Sequence, residues 1–233
     1  MPHDMGDRPS SASDPGPLLV VDRADLGPVG ARWIADRARD AISARGAFSI
    51  ALAGGATPRP IYEALAAGAS DWARWHVFFG DERCVPADHA DSNQRLATEA
   101  LLGRVAIPAA QVHGIAGDAD PEAVARASEA ALPDVLDLVL LGVGPDGHVA
   151  SLFPGSPALL ERTRRYVVVR GAPKPPAMRI TITPPVLLAA RARLVVAVGA
   201  EKADAIARAR GGDVSLPATL ARPCTWLIDR AAA

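Results

Sequence analysis

The sequence has few of the features that would direct it to a membrane, to nucleic acid or to a disulfide-linked fold. Among its 233 residues there are two cysteines, Cys84 and Cys224, too few for a disulfide framework or a cysteine-based metal site. The formal net charge is -1, so no overall positive field attracts nucleic acid. No long uninterrupted apolar run is present, and no membrane partner is expected. With 49% hydrophobic residues, the chain is expected to bury one sizeable core.

The amino-terminal residues differ in composition from the remainder of the chain. Residues 1–17 are rich in Pro, Ser, Asp and Gly and lack an apolar core, which is typical of a flexible tail and not of a secretion signal. The protein is therefore expected to stay in the cytoplasm. No linker or internal repeat interrupts residues 18–233, which are predicted to form a single domain.

Helical and strand patterns alternate through this domain. Helices are predicted over residues 29–43, 59–67, 92–101 and 120–132. Strands are predicted over residues 48–53, 75–79, 166–170, 179–183, 194–198 and 225–228, and along an apolar run that ends at Gly142. This βα alternation predicts an α/β fold with a mainly parallel sheet that helices cover on both faces.

The segment that follows the apolar run is the most informative part of the sequence. The loops at the carboxyl ends of parallel strands form the ligand sites of open α/β sheets. Here the loop contains Gly144 and Gly147, which allow sharp turns. Asp146 lies between these glycines, and His148 follows the second one. A histidine beside a carboxylate predicts a general base. The alternative is a glycine-rich connection with a solvated histidine.

Gly142, Gly144 and Gly147 also spell the G-x-G-x-x-G pattern of dinucleotide-binding proteins. That pattern requires a helix to begin at the last glycine, so that its amino end meets a pyrophosphate. Pro154 and Pro157 would break such a helix within two turns. A nicotinamide cofactor is therefore not expected.

Two other predicted strands end in polar loops of the same kind. After residues 48–53 come Gly54, Gly55, Ala56, Thr57 and Pro58, which would direct backbone N–H groups and the Thr57 hydroxyl at one point before a helix. This turn predicts an anion site, or else a glycine turn selected only for tight packing. After residues 75–79 comes the charged segment 81–83, which contains Asp81 and Arg83. It is either a solvated loop or a source of a base and a guanidinium group for an anion.

With these loops in view, the chain resembles the 6-phosphogluconolactonase family of the glucosamine-6-phosphate deaminase-like superfamily. The matching blocks occur in the family's order and lie within residues 18–228: 53–58 (AGGATP), 79–83 (FGDER), 92–94 (SNQ), 141–148 (LGVGPDGH), 151–155 (SLFPG), 173–176 (PKPP), 179–183 (RITIT) and 199–202 (GAEK). The resemblance implies a single-domain, Rossmann-like three-layer sandwich. It also implies hydrolysis of 6-phospho-D-glucono-1,5-lactone to 6-phospho-D-gluconate, the second step of the oxidative pentose phosphate pathway.

The resemblance also suggests roles for individual residues. His148 would be the general base and Asp146 would orient it, while Asp81 would bind a sugar hydroxyl or position Arg83. Arg83, Lys174 and Arg179 are candidates for substrate or oxyanion contact, with the division of roles left open. The phosphate would be held by Gly54, Gly55, Thr57 and Lys202. No metal or cofactor is expected, because such a lactone already reacts with water. Ala56 and Val149 stand where the family more often has Ser and Thr, and neither residue is one that the reaction requires.

Two alternative functions remain open at this point. A glucosamine-6-phosphate deaminase would resemble this chain in fold, but the resemblance calls for a carboxylate five positions after the loop histidine, where Phe153 stands. A non-catalytic sugar-phosphate sensor of a transcription regulator would need a DNA-binding segment, and residues 1–17 are too short for a helix-turn-helix. A sugar-phosphate lactone is therefore the expected partner, and a monomer is expected in preference to a large oligomer.

Overall fold

A computed structural model of the protein describes residues 14–233. Most of the predicted tail, residues 1–13, lies outside the described residues. Within its last part, the carbonyl oxygen of Pro15 accepts a hydrogen bond from Nε1 of Trp226 (2.9 Å), and that of Pro17 accepts one from the Trp226 backbone N–H (2.8 Å). Residues 15–17 thus lie alongside the carboxyl-terminal strand. The domain boundary at residue 18 stays a prediction.

Strands and helices alternate along the chain, as the sequence pattern predicts. The strands are β1 (Leu18–Val21), β2 (Phe48–Leu52), β3 (Trp75–Phe79), β4 (Asp81–Arg83), β5 (Leu138–Gly142), β6 (Tyr166–Val169), β7 (Arg179–Ile182), β8 (Ala192–Ala197) and β9 (Thr225–Asp229). The α-helices are α1 (Leu26–Arg45), α2 (Arg59–Ala66), α3 (Asn93–Ala97), α4 (Pro121–Ala131), α5 (Pro184–Ala189) and α6 (Ala203–Gly211). A π-helical turn (Thr98–Leu102) continues α3, and short 3₁₀ helices occur at Arg23–Asp25, Trp72–Arg74, Ala109–Gln111, Pro157–Leu160, Ala200–Lys202, Pro217–Ala221 and Arg230–Ala232.

The main sheet contains six strands in the order β1-β9-β8-β5-β2-β3, and all neighbouring strands run parallel. The strands at its centre are apolar and buried on both faces, as parallel strands beneath helices require. Helix α1 packs against α2 and against β2 and β9. The predicted α/β fold with a mainly parallel sheet is confirmed. In residues 14–233, no helix is both long enough and apolar enough to cross a membrane.

Two details of the prediction are wrong. The segment 81–83, predicted as a loop, is strand β4. The strands predicted at 166–170 and 179–183 are confirmed as β6 and β7, but they do not join the main sheet. Instead β4, β7 and β6 form a separate antiparallel sheet in that order. The chain passes between the sheets at Gly80, whose N–H donates to the Leu52 carbonyl (2.8 Å) and whose own carbonyl accepts from Ile182 N–H (2.8 Å). Charged residues form this strand because its neighbour β7 supplies the backbone hydrogen bonds.

The carboxyl ends of four adjacent parallel strands meet at one edge of the main sheet. Strands β2, β3, β5 and β8 end at Leu52, Phe79, Gly142 and Ala197, and the pairing register places Leu52 opposite Phe79 and Gly142 opposite Val196. The polar segments that follow these strands are therefore brought together at this edge. The second sheet adjoins it, because β4 continues directly from β3.

Candidate active site

A cleft of about 300 Å³ lies at this edge of the sheet. Nine of the ten residues that the sequence analysis assigned to the site line it: Gly54, Gly55, Thr57, Asp81, Arg83, His148, Lys174, Arg179 and Lys202. The tenth, Asp146, lies directly beside His148. The tertiary structure thus gathers the residues proposed from five separate segments of the chain into a single cavity.

The loop after β5 holds His148 and Asp146 in a fixed geometry. The N–H of Gly144 donates to the His148 carbonyl (2.9 Å), and the N–H of Gly147 donates to the Gly144 carbonyl (2.9 Å). Gly147 has a φ of 77°, in the left-handed region that glycine tolerates. A Cβ atom on Gly144 would collide with the His148 ring and the Asp146 carboxylate. Glycine at 144 is therefore required for the His–Asp contact.

His148 Nδ1 lies 2.5 Å from Oδ1 of Asp146. With Nδ1 donating to the carboxylate, Nε2 is the nitrogen that can accept a proton. Burial lowers the pKa of His148 below its ordinary value and Lys174 lowers it further, which together outweigh the raising effect of Asp146. The imidazole is therefore largely neutral at neutral pH, as a general base must be. The ring of Phe153, with its centroid 4.6 Å from that of His148, packs beside it.

Asp146 remains ionised in this pair. Burial alone would raise its pKa, but the hydrogen bond and charge of His148, together with the charge of Lys174, hold the pKa of Asp146 below its ordinary value. Lys174 Nζ is 4.0 Å from Oδ1 of Asp146. A cation, a carboxylate and an imidazole thus lie in contact at one end of the cleft.

The glycine loop after β2 and the segment after β8 supply a second group of cleft residues. Gly55 has a φ of 85°, and Gly54 has no room for a side chain because the Asn93 amide lies against it. Lys202 ends the 3₁₀ helix Ala200–Lys202, directly before α6. Burial lowers the pKa of Lys202, with Glu201 opposing this effect and Lys174 adding to it. Backbone N–H groups, a hydroxyl and an ammonium group in one place suit an anion.

The lysine content of the chain is unusual in this context. The sequence contains 23 arginines but only two lysines, Lys174 and Lys202, and both line the cleft. Elsewhere in the chain arginine supplies the positive charge. An ammonium group is a compact charge on a flexible stem, whereas guanidinium is a planar fork, so the two are not equivalent in a confined site.

The two arginines of the cleft have different environments. Arg179 is buried, and its guanidinium donates to the carbonyl oxygens of Lys174 (3.1 Å), Pro175 (3.3 Å) and Pro176 (3.1 Å), which holds the Lys174 loop in place. Its Nη1 lies 4.0 Å from Oδ2 of Asp81. Arg83 instead donates from Nη1 to the Asp91 carbonyl (2.5 Å).

The structure adds residues to the site that the sequence analysis gave no role. Two of them are Ser151 and Asn93, which donate hydrogen bonds from Oγ (2.5 Å) and Nδ2 (3.2 Å) to the carboxylate of Asp81, a residue only 6% exposed. Glu82, also buried, accepts from the backbone N–H groups of Arg83 (2.8 Å) and Asn93 (2.8 Å) and so ties β4 to the start of α3. Burial raises the pKa of Glu82 above its ordinary value, although these hydrogen bonds act to lower it. Ser151, Asn93 and Glu82 lie in sequence blocks that carried the family resemblance, but no local pattern in the sequence showed which of their polar atoms meet.

Metal-binding and thiol chemistry find no support in residues 14–233. No group of three or more His, Cys, Asp or Glu side chains in this range could hold a metal ion. Cys84, which follows β4, is half-buried, and burial raises the pKa of its thiol. A raised pKa disfavours the thiolate that a nucleophilic cysteine needs.

Known proteins resemble this chain in both sequence and structure. It is 44% identical over 214 residues to the 6-phosphogluconolactonase of Mycobacterium tuberculosis, a match that covers 83% of this chain and 87% of that protein. It is 40% identical over 212 residues to "Probable 6-phosphogluconolactonase 3, chloroplastic" of Oryza sativa, covering 82% of this chain but spanning only 65% of the length of the rice protein. The crystal structure of 6-phosphogluconolactonase from Thermotoga maritima superposes with a TM-score of 0.85 at 29% identity, covering 92% of this chain and 100% of that one.

The family model for glucosamine-6-phosphate isomerases/6-phosphogluconolactonase matches residues 21–228, which include all ten assigned site residues. The match therefore spans nearly the whole of the described structure. The sequence, the fold and the contents of the cleft agree, and the chain belongs to the glucosamine-6-phosphate isomerase/6-phosphogluconolactonase family.

Proposed function

We propose that the protein is a 6-phosphogluconolactonase, which hydrolyses 6-phospho-D-glucono-1,5-lactone to 6-phospho-D-gluconate in the oxidative pentose phosphate pathway. The observation that carries this proposal is the joining of a His–Asp base and an anion-binding loop in one cleft. The names of the bacterial relatives support the same activity.

The reaction begins with the imidazole of His148. Its Nε2 takes a proton from a water molecule as the water oxygen attacks the lactone carbonyl carbon and forms a tetrahedral oxyanion. The oxyanion then collapses, the bond from this carbon to the ring oxygen breaks, and the proton passes from His148 to the ring oxygen. The product is the open-chain acid. Asp146 fixes the imidazole by accepting from Nδ1 and stabilises it while it carries the proton.

The two lysines of the cleft are assigned to opposite ends of the substrate. Lys174 lies beside the His–Asp pair and is assigned to the carbonyl oxyanion, because its ammonium group is close to the base. Lys202, with the backbone of Gly54 and Gly55 and the hydroxyl of Thr57, is assigned to the phosphate. This assignment places the only two lysines of the sequence at the two points where the substrate carries or develops negative charge.

The remaining charged residues of the cleft act on the rest of the sugar. Arg179 is assigned to holding the Lys174 loop, since its guanidinium donates to that loop's carbonyl oxygens. Arg83 is assigned to substrate contact. Asp81 is assigned to a sugar hydroxyl and not to positioning Arg83, because its carboxylate contacts Ser151, Asn93 and Arg179. A buried carboxylate that lines a cleft is a strong acceptor for a hydroxyl group.

This mechanism needs no metal or cofactor, because the base activates water and the lactone is an activated ester. The cytoplasm is the proposed location, a monomer is proposed in preference to a large oligomer, and neither nucleic acid nor a membrane is a proposed partner. The proposals about location, nucleic acid and membrane rest on the sequence composition described above.

One experiment tests the proposed function directly. Freshly prepared lactone is mixed with the protein, and proton release is compared with spontaneous hydrolysis in the same buffer. We expect the protein to clear the lactone within minutes and to release no ammonia from glucosamine 6-phosphate at the same concentration. The deaminase reaction needs an acid–base relay, whereas Phe153 packs against His148 and can neither donate nor accept a proton. Ammonia release at a rate comparable with lactone hydrolysis would overturn the lactonase proposal.

A further inference from the structure

Ser151 is a buried hydroxyl that the mechanism above does not use. It is completely buried and lies three residues after His148 in the same loop. Its Oγ donates to Oδ2 of Asp81 at 2.5 Å, and its backbone N–H donates to Oγ1 of Thr181 (3.2 Å). An O–H···O distance of this length lies at the short end of the range for hydrogen bonds.

The second carboxylate oxygen of Asp81 is also held. Nδ2 of Asn93 lies 3.2 Å from Oδ1 and 2.8 Å from the Asp81 backbone carbonyl. One donor therefore binds each carboxylate oxygen, and the two donors come from different parts of the fold. Together they fix the plane of the carboxylate, while its remaining lone pairs are available to the cleft that Asp81 lines.

The backbone between His148 and Ser151 makes this arrangement possible. Ala150 has a φ of 50°, the only left-handed non-glycine residue in the part of the chain described. This turn allows His148 to line the cleft while Ser151 is directed into the protein interior. A single loop thus carries the base and also the hydroxyl group that holds Asp81 on strand β4.

We propose that Ser151 is a positioning residue for substrate recognition, which holds the Asp81 carboxylate in the orientation that accepts a sugar hydroxyl. Ser151 acts through Asp81, since it is not among the residues that line the cleft. This inference rests on the proposed function and extends it to a residue outside the cleft.

The test compares Ser151→Ala and Ser151→Cys with the wild-type protein in lactone hydrolysis. Loss of a hydrogen bond to a charged group predicts a KM about tenfold higher or more for S151A, with kcat much less affected, because hydroxyl binding contributes already in the ground state. A purely structural defect would instead lower kcat, through the fraction of active protein, and leave KM unchanged. S151C preserves the packing, and its thiol donates only weakly to Asp81, so its KM should lie between those of the wild-type protein and S151A.

Two further variants sharpen the comparison. Ser156→Ala makes the same chemical change five residues away, where the side chain accepts only from the Ala158 N–H, and should leave KM unchanged. Asp81→Ala removes the partner of Ser151. In that background S151A should change KM by less than about threefold, because interacting residues are not additive.

The outcomes separate this inference from the proposed function. The role of Ser151 would be overturned if S151A and S151C both kept the wild-type KM, or if S151A raised KM by the same factor with and without D81A. Neither result would affect lactonase activity measured in the wild-type protein. A wild-type protein that does not accelerate lactone hydrolysis would contradict the proposed function. In that case crystal structures of S151A and S151C still decide the inference, since an Asp81 carboxylate in an unchanged orientation in both overturns it.

Discussion

Replacing Asp146 with Asn removes the negative charge beside His148 while nearly preserving the shape of the side chain. In the wild-type protein Oδ1 of Asp146 lies 2.5 Å from Nδ1 of His148 and raises the pKa of the imidazole against the effect of burial. An Asn side chain can place either its oxygen or its NH₂ group at that point. When the NH₂ group faces Nδ1, the proton moves to Nε2, which can then no longer accept one from water.

The size of the effect follows from the kind of bond that is lost. A hydrogen bond to a charged group contributes about 1.5–3 kcal/mol, which corresponds to a factor of roughly ten to a hundred in rate. The Asp146 side chain is 37% exposed, so solvent screens part of its charge, and we expect the lower half of this range. D146N should therefore reduce the maximal turnover by about tenfold to thirtyfold.

The pH dependence gives a sharper signature than the rate. The proposed base works as neutral imidazole, so turnover should fall as the pH drops through the pKa of His148. Removing the carboxylate takes away a contribution that raises this pKa. The acid limb of the turnover profile should therefore move to lower pH, by about one unit if the lost interaction is near 1.4 kcal/mol. The variant should be slower at neutral pH and yet retain a larger fraction of its own maximum at pH 5.

The assay is stopped-flow or pH-stat measurement of proton release from fresh lactone between pH 5 and 8, with spontaneous hydrolysis subtracted at each pH. His148→Ala gives the rate that remains without the base, and we expect D146N to lie above it. Circular dichroism and thermal unfolding check that both variants fold. An acid limb that moves to higher pH in D146N, or turnover equal to wild type across the range, would refute the assignment of the pair.

Three other substitutions test the rest of the site. Lys174→Gln removes a charge that lowers the pKa of His148, so the acid limb of its turnover profile should move to higher pH, opposite to D146N; an unchanged limb would contradict the electrostatic argument. Lys202→Ala should weaken binding of the phosphorylated lactone by about 1.5–3 kcal/mol and affect unphosphorylated gluconolactone far less, and equal losses on both substrates would exclude a phosphate contact. Gly144→Ala should lower turnover by more than about tenfold, because a Cβ there collides with the imidazole of His148, the proposed base, whereas Gly211→Ala, which meets no atom within 4 Å, should retain wild-type turnover.

The sequence was informative wherever a local pattern had a single physical meaning. The apolar residues of β5 predicted a buried strand, and the glycines that follow predicted a turning loop with Asp146 and His148 on it. Parallel strands carry their loops to a common edge, so residues after β2, β3, β5 and β8 could be expected to meet. The structure confirms the parallel sheet and places nine of the ten assigned residues along one cleft.

Local patterns were misleading where tertiary pairing decided the conformation. Three consecutive charged residues, 81–83, are typical of a loop, but hydrogen bonds to β7 and burial against α3 make them a strand. The apolar segments at 166–170 and 179–183 gave the same signal as strands of the main sheet. Periodicity reports that a strand is buried, but it does not report which neighbour the strand pairs with, and these two pair in a second, antiparallel sheet.

The sequence by itself determined the class of fold, the location of the loops and the residue types available for chemistry, because these depend on periodicity and on side chains near one another along the chain. Only the tertiary structure decided which polar atoms meet. Ser151 and Asp81 are 70 residues apart, and the guanidinium of Arg179, which lines the cleft, also donates to the carbonyl oxygens of the Lys174 loop. Buried polar groups require partners in low dielectric surroundings, and the packed fold determines which partners lie within reach.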